Sequence, residues 1–112
     1  LESPFLFWRA EDARTLRISA EFATKGNELR VFWKPYSGDI QTTRSWGEWA
    51  GAWWVPERSV AVPINNDGGT HEVLVDLASN PAYRGGLCGL RLDLPEWQEG
   101  DHVRIKAMTL AK

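Results

Sequence analysis

A chain of 112 residues holds one hydrophobic core, because two half-size cores would bury too little apolar surface to offset the entropy of ordering them. A formal net charge of −2 provides no basic field for phosphates, which argues against nucleic acid, and disfavours acidic polymers except where a local Arg or Lys cluster holds a carboxylate. No apolar run is long enough to cross a membrane.

In chain order, "FLF" leads to Trp8, an indole fit for the core or for a side wall. "TLRISAEF" (15–22) then alternates Leu16, Ile18, Ala20 and Phe22 with polar residues, the period-two signature of a strand with one wet face. After a "KGN" turn, "ELRVFWK" (28–34) places Leu29, Val31 and Trp33 on one face. Arg30, Phe32 and Lys34 share the other, where Phe32 is an anomaly. "IQTTRS" (40–45), "SVAVPI" (59–64), "HEVLVDL" (71–77), "LCGLRLDL" (87–94) and "HVRIKAMTL" (102–110) continue the pattern, bounded by Gly, Pro, Asn or Asp. Pro63 cannot donate a ladder hydrogen bond and predicts an edge or a bulge. "NNDGG" (65–69) reads as a hairpin turn. No stretch carries a helical stripe, so the prediction is an all-β, single-domain antiparallel β-sandwich of the jelly-roll type with about eight short strands spanning 1–112.

The stretch "WGEWAGAWW" (46–54) puts Trp46, Trp49, Trp53 and Trp54 between strands, spaced by Gly and Ala and followed by Pro56. Its glycines argue for a loop over a helix. An indole buries a large apolar area and carries one N–H, so the loop has two readings. It folds over one end of the sandwich as a lid, or it presents rings that stack on sugar faces while polar neighbours take the hydroxyls. One loop tucks only about half of such rings under itself. The expectation is therefore Trp46 and Trp49 outward, with Trp53 or Trp54 as the anchor. Gln41, Arg44 and Glu48 supply hydrogen bonds, and Trp97, in the "PEWQEGD" turn, joins the set if that turn lies at the same end.

Catalytic signals are weak. His71 and His102 begin strands and belong to no ligand-spaced cluster. Cys88 alternates in phase with Leu90 and Leu92 and reads as a small core residue; being the single cysteine, it says nothing of the redox compartment. Glu48 and Glu57 flank the tryptophans and could pair as in a glycosidase, but carboxylates are common in loops. Asp12, Asp39, Asp67, Asp76 and Asp93 lie at strand ends or turns, where a structural calcium is admissible but not required. No other cofactor is implied.

The second half, with its "DGGTHE" turn, "P-x-Y-x-G" loop, "LRLDL" strand and closing "VRIKAMTL" strand after "EGD", resembles the β-sandwich carbohydrate-binding modules attached to polysaccharide-degrading enzymes. "TLRISAEF" and "LRVFWK" fit the first half of that pattern. The family's aspartate–proline pair is interrupted here, Asp93-Leu94-Pro95, so its calcium site does not carry over; the Trp-rich stretch lies outside the shared pattern. The resemblance implies an extracellular, monomeric, non-catalytic module that holds an attached glycoside hydrolase on a β-glucan or a xylan or mannan. The start at Leu1 agrees with a segment excised from a larger multidomain protein. Two rivals stand beside it: a surface that docks the attached catalytic domain or another protein, and a small hydrolase using Glu48 and Glu57.

Overall fold

The computed structural model describes residues 7–36 and 54–112. Seven strands form in these residues: β1 (Trp8–Arg9), β2 (Thr15–Ala23), β3 (Glu28–Pro35), β4 (Ser59–Pro63), β5 (Thr70–Asp76), β6 (Gly86–Asp93) and β7 (His102–Ala111). They make an antiparallel β-sandwich, one sheet ordered β1-β6-β3-β4 and the other β5-β2-β7. Every connection except β3 to β4 passes from one sheet to the other. The period-two pattern therefore works from both sides. Leu16, Ile18, Ala20 and Phe22 of β2 and Val73 and Val75 of β5 face Leu29, Val31 and Trp33 of β3 and Leu87, Leu90 and Leu92 of β6 across one continuous core. Each such large apolar side chain taken from water contributes about 1.5–3 kcal/mol.

Trp33 is fully buried at the centre and meets the Tyr83 ring edge-on, centroids 5.1 Å apart at 83°. Tyr83 belongs to the loop before β6, and its hydroxyl donates to the Ala13 carbonyl and accepts from Trp8 Nε1 at 2.8 Å. That exchange pins β1 and the start of β2 to the core, and Trp8 is half-buried there as a side wall.

Two irregularities break the strict alternation. Lys34 pairs with Gly89 but Pro35 pairs with Leu87, so Cys88 is an extra residue in β6. The phase flips at that point: Leu87 joins the core cluster, and Cys88, expected there, is buried outside it with its thiol 3.8 Å from the Pro35 carbonyl. In β7 the extra residue is Lys106, between Ile105 opposite Ala20 and Ala107 opposite Ser19. Its ammonium lies 3.2 Å from the Glu21 carboxylate and donates to Thr70 Oγ1 at 2.8 Å.

Pro63 ends β4, which lies at the margin of its sheet among the described residues, in keeping with the proline's missing N–H. The "NNDGG" stretch is a turn with Gly68 at φ 84°, but it makes no hairpin, because β4 pairs with β3 and β5 with β2. The same turn residues serve a connection between sheets. The predicted strand at 40–45 lies outside the described residues.

Candidate functional site

The face of β3 turned away from the core carries Arg30, Phe32 and Lys34 in successive positions. Across the ladder, Arg30 lies between Ala61 and Asp93, Phe32 between Ser59 and Arg91, and Lys34 beside Gly89. Arg30 Nη1 donates to Ser59 Oγ at 3.0 Å, and Ser59 donates onward to the Pro56 carbonyl at 2.6 Å. Arg91 Nε donates to Asp93 Oδ1 at 2.9 Å, which fixes that guanidinium flat along its strand. Phe32 is only 7% exposed despite pointing outward, so this face carries cover of its own.

Trp54 stands on the same face. A Cβ built at Gly89 would lie 3.5 Å from the Trp54 ring and 3.3 Å from Lys34 Cε; the bare glycine lets both side chains rest on the strand backbone. Lys34 Nζ lies 5.7 Å from the Trp54 ring centroid, within reach of the negative ring face. Among the described residues this face thus offers one partly exposed ring, Trp54, with the cations Lys34, Arg30 and Arg91 around it, while Phe32 is buried. Trp97 is elsewhere. It is 52% exposed on the β6–β7 turn and lines an apolar cavity of about 500 Å³ that opens between the sheets beside Phe22, Leu94, Val103 and Ile105. Of the predicted site residues, Gln41, Arg44, Trp46, Glu48, Trp49 and Trp53 lie outside the described residues.

A second cavity, about 690 Å³, opens at the β1 end of the same sheet. Phe7 and Tyr36 wall it, with ring centroids 5.3 Å apart at 88° and exposures of 57% and 62%. Arg9, Arg14 and Arg84 line it together with a single carboxylate, Glu11. Sequence reading missed this group, because its members come from four separated stretches of chain. The "YRGG" loop and the "FLF" stretch were the available signals.

Among the described residues no three His, Cys, Asp or Glu side chains converge to hold a metal ion, and Asp39 lies outside them. Asp67 instead accepts from Gly69 N at 2.8 Å and pairs with His71 Nε2 at 2.9 Å; these contacts, the Gly69 N–H first, hold its carboxyl below the ordinary carboxylate value. Burial pushes the Cys88 thiol up, only partly countered by Lys34. A thiol-specific reagent is therefore expected to leave native Cys88 unmodified and to react completely once urea unfolds the chain, read by the absorbance of the released chromophore. Comparison with protein-family models, curated proteins and solved structures gives no match to this chain.

Proposed function

We propose that this domain binds a polysaccharide without acting on it, along the outer face of the β1-β6-β3-β4 sheet and the tryptophan-rich stretch 46–54. The observation that carries the reading is Trp54 lying over Gly89 with Lys34 against its ring and Phe32, Arg30 and Arg91 in the adjoining rows. The flat Trp54 ring takes the apolar face of a sugar, while the guanidinium groups satisfy hydroxyls that would otherwise be stripped of water. Gln41, Arg44, Trp46, Glu48, Trp49 and Trp53 also contribute to sugar binding in this proposal. The polymer is a β-glucan or a xylan or mannan, and the domain serves as the extracellular tether of an attached glycoside hydrolase, raising its local concentration on the substrate.

Affinity is expected on the order of micromolar to millimolar, because a few exposed stacking contacts must first offset the cost of association. Native gels containing soluble polysaccharides test this. One polymer class should retard the domain, and both Trp54→Ala and the Trp46→Ala, Trp49→Ala pair should weaken retardation about tenfold, equivalent to about 1.4 kcal/mol. Retardation by no polymer, or retardation indifferent to these changes, would remove the reading. The docking alternative makes the tryptophan-rich stretch 46–54 the contact surface for an attached catalytic domain or another protein. A domain that self-associates and ignores every polymer would favour it.

A further inference from the structure

We propose that the cavity at the β1 end receives the carboxylate of a uronic acid residue, so that the bound polysaccharide carries acidic sugars at intervals. The inference rests on the carbohydrate reading above and names a chemical class within it.

Charge is the first argument. Three guanidinium groups, Arg9, Arg14 and Arg84, border the cavity against one carboxylate. Arg9 reaches Glu11 only at 3.8 Å, with both side chains largely exposed, a pair of little strength. Arg14 and Arg84 form no ion pair and no side-chain hydrogen bond among the described residues. Arginine presents a planar fork of donors that matches a carboxylate in bidentate fashion. Two such forks, without an ion pair among the described residues, line one cavity and suit a carboxylate by their chemistry.

The aromatic wall narrows the ligand further. Phe7 and Tyr36 meet at right angles, so the edge of one ring is spent against the other and a ring face remains open. Both rings keep more than half their surface in water. Gly86 lies under this wall: a Cβ there would lie 3.2 Å from the Phe7 ring, tight enough to make that ring shift slightly, and 3.7 Å from Tyr36 Cβ, an ordinary contact. A free inorganic anion has no use for such a wall. A sugar ring with a carboxylate uses the wall and the forks together, and the volume lies within the range of small-ligand pockets.

The charge of the whole chain sets the density of the acid. With a net −2, the domain repels a densely charged polyuronate at long range, and attraction is confined to local cationic groups such as this rim. A mostly neutral polymer with occasional uronic acid branches or ends fits both conditions.

The test uses the described gels with glucuronoxylan and with the same polymer after its carboxyl groups are reduced to alcohols. Reduction is expected to weaken retardation at least tenfold. The Arg14→Gln, Arg84→Gln pair, both exposed, should weaken binding to the native polymer to the level of the reduced one and leave binding to the reduced one unchanged. Glucuronate added to the isotope-labelled domain should shift the Gly85 and Gly86 amide resonances, whereas glucose or sodium sulfate should not. Equal retardation by native and reduced polymer overturns the acidic-sugar inference and leaves the outer-face reading intact. Equal shifts from sulfate overturn it as well, reducing the rim to a general anion trap. Retardation by no polymer removes both readings.

Discussion

Replacing Trp33 with alanine is expected to cost about 3–5 kcal/mol, the usual toll for removing a fully buried large aromatic side chain. Trp33 has no exposed surface, it packs on the Tyr83 ring, and it stands between the two sheets where neither can move inward without breaking its own ladder. Small domains are stable by only about 5–15 kcal/mol in total, so the urea midpoint should fall by about a fifth or more. Phenylalanine at the same position should be far milder. Among the described residues the Trp33 indole N–H has no hydrogen-bond partner, so phenylalanine removes a buried unpaired donor along with some volume, and the two effects oppose each other. An alanine variant within about 1 kcal/mol of the parent would mean that the core collapses readily there.

The second large effect concerns Tyr83 and carries its own dependence on pH. Tyr83→Phe keeps the ring against Trp33 but leaves the Ala13 carbonyl and the Trp8 N–H without their partner, at a cost of about 1–3 kcal/mol. Burial raises the Tyr83 hydroxyl above the ordinary tyrosine value, and the Trp8 N–H, which favours the phenolate, offsets this only in part. The folded state therefore prefers the neutral hydroxyl. Its contribution is complete below the unfolded value near pH 10 and is lost as pH rises through the higher folded value. Urea midpoints from neutral to strongly alkaline pH should thus show the parent and Tyr83→Phe converging as pH rises. A gap of constant size would show that the hydroxyl does not titrate against the fold.

Much of this architecture could be read from the chain, for a physical reason. Alternation belongs to the single strand, so Thr15–Ala23 and Glu28–Pro35 are visible without knowing their neighbours. Turn chemistry is equally local, and Gly68 takes the positive φ that its turn demands. Pairing is not local. "NNDGG" has every mark of a hairpin, yet the strands it joins enter different sheets, because burying both apolar faces outweighs the nearest available ladder. The phase flip at Cys88 depends on a bulge that only the match to β3 creates, and two-residue β1 is too short to carry a period. Of the candidate site, the outward Phe32 and Arg30 were legible as a break in polarity. The β1-end cavity was not, since residues 7, 9, 14, 36 and 84 meet only after the sandwich closes.

The extra residue in β7 has a consequence for how the molecule behaves among its own copies. β7, a ten-residue strand at the margin of its sheet among the described residues, is a template on which another chain can add, and its half-exposed apolar side would reward that addition. Lys106 interrupts the template where it would otherwise run longest. An incoming strand would have to follow a kinked ladder and desolvate an ammonium already held by Glu21 and Thr70, with Arg104 two residues away. The bulge therefore works against edge-to-edge association of copies through this strand.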